Sequence, residues 1–185
     1  MIYSVANILT FLRILITPLL VVVYYFLPEH WGMPLAAALF GVASVTDWLD
    51  GYLARKLDQV SKLGAFLDPI ADKLIIVTVL VVIVDRHGQL FILVPALIII
   101  ARELVVSGLR EWMSELGKRD SVAVSMLGKL KTAAQMMALF FLLYYYPVLG
   151  IPVFEIGVLL LYVAVVLTLW SMMLYISRAA RSYQG

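Results

Sequence analysis

The sequence contains no cysteine. That absence excludes disulfide bonds, thiolate metal centres and a thiol nucleophile. Charge is scarce too: Asp, Glu, Lys and Arg make up 14% of the 185 residues, where a soluble domain carries about 25%. Histidine occurs only as His30 and His87, and no Ser/His/Asp set for nucleophilic catalysis can be traced. Internal repeats and low-complexity segments are missing as well. The chain is instead 64% hydrophobic. This places it among integral membrane proteins, and its length suits one compact bundle, a single domain over residues 1–185. A net charge of +2 gives no reason to expect a nucleic-acid partner.

Six hydrophobic segments are predicted, near 8–27, 34–55, 66–84, 90–110, 132–147 and 155–177. The fold class is therefore all-α, a polytopic membrane protein with six transmembrane helices. The first segment carries Arg13 and is too long for the apolar core of a signal peptide, so it is read as a retained span. Short connections holding Pro, Gly or charge follow at 28–33, 85–89 and 147–152. The connections at 56–65 and 111–131 are longer and basic. Of the 14 Lys and Arg residues, 13 fall on one side of this arrangement and only Arg86 on the other. By the positive-inside rule, both termini and the two long loops are cytoplasmic. Tyr144, Tyr145 and Tyr146 mark the opposite interface. His30 and His87 fall on that far side and read as surface residues.

Four aspartates sit in or beside the apolar runs, where a carboxylate is costly. Asp47, Asp50, Gly51 and Ala54 stand at i, i+3, i+4 and i+7 of a helix continuing through Arg55, which is one face. Gly64, Asp68 and Asp72, at i, i+4 and i+8 of the next segment, share another. Two antiparallel helices can turn these faces together at the cytoplasmic boundary. Four converging carboxylates repel one another unless cations intervene. Mg²⁺ or Mn²⁺ prefers oxygen ligands, and two such ions balance four carboxylates. Two adjacent metals form a clamp suited to phosphoryl-type transfer. Gly51 and Ala54 keep the face low enough for a diphosphate to approach. Pro69 is placed in the first turn of the third helix, where its missing N–H does little harm. Asp58 lies off the pattern and reads as solvated.

The pattern Asp47-x2-Asp50-Gly51-x2-Ala54-Arg55-x8-Gly64-x3-Asp68-x3-Asp72 resembles, without departure, the signature of the CDP-alcohol phosphatidyltransferase family. The stretches at 7–18, 101–119 and 128–135 resemble the bacterial branch of that family whose acceptor is sn-glycerol 3-phosphate. One departure is Ala6, where many relatives have proline before the Asn7 position. The resemblance implies a six-helix enzyme of the bacterial inner membrane, usually a homodimer, with two divalent cations. It would transfer a phosphatidyl group from CDP-diacylglycerol to the acceptor and release CMP on the cytoplasmic face. It implies Asp47, Asp50, Asp68 and Asp72 as metal ligands, with Asp72 also the base. It implies a nucleotide site made by Asn7, Thr10, Asp47, Asp50, Gly51, Ala54, Arg55, Gly64 and Asp68.

An acceptor bearing about two negative charges needs cations away from the metals. Arg102, Arg110, Lys129 and Lys131 are the candidates, with Glu103 a possible structural partner. Arg102 interrupts an apolar run and so has a desolvation cost to justify. Alternatives are a sibling enzyme with another alcohol acceptor, a prenyltransferase with aspartate-rich motifs, and a divalent-cation carrier. A carrier needs polar residues deep in the membrane, and the fifth and sixth segments offer almost none.

The orientation is testable because the chain has no cysteine of its own. Single cysteines at Lys62, Lys118 and Gln89, probed on intact cells with an impermeant thiol reagent, should label only at position 89. Labelling at 118 from outside would invert the topology.

Overall fold

The computed structural model describes residues 5–57, 62–115 and 126–184, with side chains described at 8–47, 64, 66–109, 111–113 and 130–177. Its regular structure is α-helical. The helices are α1 (Val5–Phe26), α2 (Glu29–Leu57), α3 (Lys62–His87), α4 (Leu90–Glu115), α5 (Met126–Tyr144) and α6 (Val153–Gln184). Helices are what such a composition dictates: with no water in hydrocarbon, each backbone N–H and C=O must find its partner within its own segment.

All six predicted segments are helices, and most extend beyond the apolar run at the predicted cytoplasmic end. There the boundaries differ from expectation. α2 runs to Leu57, α3 begins at Lys62 and α5 begins at Met126, so the two basic connections are shorter than predicted. Charged turns continue a helix as readily as apolar ones, so hydrophobicity marks the membrane and not the helix end. Pro69 consequently lies in the interior of α3, not in its first turn. There it removes one ladder hydrogen bond and tends to kink the helix just before Asp72. At the other end of the bundle α5 stops at Tyr144, earlier than predicted.

Among the described residues, Ile8–Phe26, Leu90–Met113 and Val153–Ser177 are long and apolar enough to cross a membrane, and Leu130–Tyr144 is a shorter apolar stretch. α2 and α3 are diluted by the charges at the ends they bring together: Asp47 on one, Asp68, Asp72 and Lys73 on the other.

The helices pack as a ring in the order α1, α2, α5, α6, α4, α3 and back to α1, with α3 also touching α5 across it. The core inside includes Leu20, Ala36, Ala37, Phe40, Val79, Leu80, Ile83, Ile92, Ile99, Leu139, Leu142 and Leu161. A smaller cluster of Val106, Met113 and Tyr175 joins α4 to α6. Large apolar side chains such as Leu15, Phe26, Val81, Leu97 and Val166 face outward. Facing lipid they carry no penalty, so helix association must come from close packing and polar contacts. Small residues permit the close packing. A Cβ at Gly32 would lie 2.9 Å from the carbonyl oxygen of Val23, so α2 rides directly on the α1 backbone. At Gly157 a Cβ would lie 3.0 Å from Leu142 Cγ and 3.1 Å from Leu142 N.

Tight turns close the far end. Val148 and Ile151 exchange backbone hydrogen bonds around Leu149 (φ 51°) and Gly150 (φ 81°), both left-handed, as a type I′ turn requires. Tyr25 Oη donates to Asp85 at 2.6 Å, and Arg86 pairs with Glu29. His87 is not the plain surface residue predicted. It is half-buried, its ring centroid 4.8 Å from that of Phe154 and 5.6 Å from that of Tyr145. Burial lowers its pKa, with Arg86 adding to the effect.

A Gly157→Val variant should lower the thermal midpoint in detergent by about 5 °C, since overpacking a close helix contact costs about 1–3 kcal/mol. Gly108→Ala, where an added Cβ meets nothing within 4 Å, should leave the midpoint unchanged or raise it. Thermal unfolding of the two purified variants decides this.

Candidate active site

Successive helices alternate in direction, so the starts of α1, α3 and α5 and the ends of α2, α4 and α6 share one end of the bundle. The predicted site residues lie there. Arg13, two turns into α1, is 1% exposed and carries its guanidinium into the junction of α1, α2 and α3. Its Nη1 lies 3.0 Å from Asp47 Oδ1 on α2 and donates to Asp72 Oδ1 on α3. One turn earlier, Thr10, fully buried, donates its hydroxyl to Asp68 Oδ1. Thr17 Oγ1 in turn donates to the Arg13 carbonyl at 3.0 Å, one turn further along α1.

The arrangement has a back and a front. Behind are the buried donors of α1; in front the Asp47 and Asp72 side chains are each 41% exposed. Each acid is thus fixed from one side and open on the other. This brings together Thr10, Asp47, Asp68 and Asp72 from the predicted set, with Gly64 buried on the same α3 face. Asn7, Asp50, Gly51, Ala54 and Arg55 lie outside the residues whose side chains are described, as do Arg110 and Lys129.

The donor set suits a hard cation. Asp47 and Asp72 offer carboxylate oxygens alone, and they already converge on one positively charged nitrogen. Among the described residues, no three acidic or histidine side chains form a ready group for a metal ion. The side chain of Asp50, the remaining expected ligand, is not among those described.

A second polar cluster occupies the same end between α4, α5 and α6. Glu103 Oε1 accepts from Arg102 Nη1 at 2.8 Å and from Lys131 Nζ at 2.7 Å. Arg102 Nη2 reaches Ser171 Oγ on α6 at 3.1 Å. Arg102, Lys131, Gln135, Thr168 and Ser171 are all buried. Arg102 Nε, Gln135 Oε1 and Thr168 Oγ1 are buried without a hydrogen-bond partner. Two of the predicted acceptor cations, Arg102 and Lys131, therefore meet on one carboxylate. Lys73 Nζ donates to Ser107 Oγ, tying α3 to α4 between the two clusters.

From sequence, Arg13 counts among the orientation charges and falls in the 7–18 stretch of the resemblance, with no partner assigned to it. The signal that marks it is the one used for Arg102, a guanidinium interrupting an apolar run. The Lys73–Ser107 contact has no such signal.

The family model for CDP-alcohol phosphatidyltransferase matches residues 3–170. A protein of Salmonella choleraesuis (strain SC-B67) named CDP-diacylglycerol–glycerol-3-phosphate 3-phosphatidyltransferase is 48% identical over 177 residues, covering 96% of this chain and 95% of the relative. The Escherichia coli (strain K12) protein of the same name is also 48% identical, with the same coverage.

Glu103→Gln should destabilise the bundle by about 3–5 kcal/mol, because it removes the carboxylate on which two buried cations converge. Glu29→Gln, which breaks an exposed pair with Arg86, should cost about 0–1 kcal/mol. Equal losses in detergent unfolding would show that the buried network holds no more than the surface pair.

Proposed function

The chain belongs to the CDP-alcohol phosphatidyltransferase family, and from that premise we propose that it transfers the phosphatidyl group of CDP-diacylglycerol to sn-glycerol 3-phosphate, giving phosphatidylglycerophosphate and CMP. The observation that carries the reading is the meeting of Asp47 and Asp72, from different helices, on one buried guanidinium with their other sides open. Such a face presents oxygen ligands to a diphosphate arriving from the membrane surface.

Asp47, Asp50, Asp68 and Asp72 would hold two divalent cations, Mg²⁺ or Mn²⁺. When bound, these supply charge stabilisation to the diphosphate and to the CMP leaving group. Gly51, Ala54, Asn7 and Arg55 would receive the cytidine diphosphate, while Thr10, buried behind the acids with Gly64 on the neighbouring α3 face, serves the site by holding Asp68. The acyl chains stay in the bilayer, against the apolar outer surface. Asp72 takes the proton from the acceptor's 1-hydroxyl. That oxygen bonds to the phosphorus bearing diacylglycerol. The bond from this phosphorus to the bridging oxygen breaks, and its electron pair leaves with CMP.

The acceptor phosphate is held by the basic residues of the neighbouring cluster, Arg102 and Lys131, with Arg110 and Lys129 nearby in sequence. Glu103 offsets one of the two charges on Arg102 and Lys131 and orients both toward one point. One positive charge is left there for the phosphate. Both clusters lie at the end assigned to the cytoplasm, so the active site faces the cytoplasmic side of the bacterial inner membrane, in a homodimer.

The reading is tested by CMP release from CDP-diacylglycerol in detergent micelles with a panel of acceptors. Glycerol 3-phosphate should be the productive acceptor, with glycerol, serine and inositol phosphate poor. Chelator, or Asp68→Asn, should cut turnover by orders of magnitude, whereas Asp85→Asn at the far end should retain it. Full turnover in chelator would remove the metals from the mechanism, and preference for another acceptor would move the chain to a sibling activity.

A further inference from the structure

The proposed reaction makes no use of Arg13, yet Arg13 is the most thoroughly buried charge in the described part of the chain, 1% exposed. A guanidinium within an apolar helix is costly and calls for a reason. Positive-inside charge is not that reason, because such charge lies at the membrane surface and not inside a helix junction. The geometry supplies another. One nitrogen of Arg13 contacts one oxygen of Asp47 and one of Asp72. These acids belong to different helices and, without a cation between them, would repel each other.

We infer that Arg13 is a positioning residue, a built-in counter-cation that keeps the two acids converged whether or not a metal is bound. The inference rests on the metal reading above. Two consequences follow from charge alone. First, Arg13 removes the need for metal in the folding of the α1–α2–α3 junction. Second, because it draws on the same carboxylates, it weakens their hold on a divalent cation. The arrangement exchanges metal affinity for a site that stays assembled between metal loadings. Neutralising Arg13 should reverse both: the junction would come to depend on metal, and metal would bind more tightly. A guanidinium whose role was only to fill space would show neither effect.

The test compares wild type, Arg13→Gln and Arg13→Lys, each purified in detergent, by thermal unfolding in chelator and in excess Mn²⁺, and by calorimetric titration with Mn²⁺. In chelator, Arg13→Gln should melt lower than wild type by on the order of 10 °C. Mn²⁺ should restore most of that difference, and the variant's apparent Kd for Mn²⁺ should fall by about tenfold or more. Arg13→Lys keeps the charge and should melt close to wild type in chelator. The inference is overturned if Arg13→Gln matches wild type in both conditions, or if it melts equally low with and without Mn²⁺. Failure of Arg13→Gln to fold even in Mn²⁺ also overturns it, since metal would then not replace the guanidinium. A wild type that neither binds Mn²⁺ nor shifts with it removes the metal reading itself, a distinct result from any of these.

Discussion

Taking a guanidinium out of water costs several kcal/mol unless carboxylates and hydrogen bonds meet it. In this bundle Asp47 and Asp72 meet Arg13, and much of the architecture is arranged so that they can. α2 must lie close enough to α1 for Asp47 to reach the guanidinium at 3.0 Å, and Gly32, at the other end of that contact, lets the two backbones approach. α3 must present Asp72 on the same side, and it touches α1 directly. A shift of α3 by one helical turn would bring Asp68 opposite Arg13 and leave Thr10 without its partner. The ion pairs thus fix register as well as contact. Apolar packing in lipid cannot do that, because the surrounding acyl chains are as apolar as the side chains they compete with.

The second cluster follows the same logic with the signs reversed. In the first, one cation gathers two acids; in the second, Glu103 gathers Arg102 and Lys131. The acids are left partly exposed, while the cations are buried. The two clusters stand at the same end of the ring, linked by Lys73 and Ser107. In the proposed reaction the acidic face would take the metals and the basic pair the acceptor's phosphate, the two halves that an attack by an anionic alcohol on a diphosphate requires.

What the sequence makes legible is periodic or compositional. The six helices follow from apolar runs, and the shared faces of Asp47, Asp68 and Asp72 follow from spacing of three and four. Pairings between distant helices do not follow. Arg13 lies 59 residues from Asp72; its place in an apolar run marks it as costly, but nothing local names the acids it meets. Arg102 and Glu103 are adjacent, and neighbours in a helix do not face each other, so their shared bond depends on Lys131 and Ser171 arriving from α5 and α6. Pro69 reads as a first-turn proline because the predicted apolar run starts at 66, whereas the helix begins a turn earlier, at Lys62. His87 reads as exposed because turns usually are; its burial comes from Phe154 and Tyr145, which sequence does not place beside it.

The ring order has a bearing on how the chain is made. Thr10, Arg13, Asp47, Asp68 and Asp72 all belong to α1, α2 and α3, which precede α4, α5 and α6 in the chain. α1 pairs with α2 and α3 with no later helix needed, while the contacts of α2 with α5 and of α4 with α6 wait for α5 and α6. Helices entering the membrane in order can therefore neutralise the acids as they enter, each carboxylate finding its cation or hydroxyl among segments already inserted. The growing chain need not carry these acids unpaired through hydrocarbon while the later helices are still being synthesised, and α5 and α6 close a ring whose acidic corner is already neutralised.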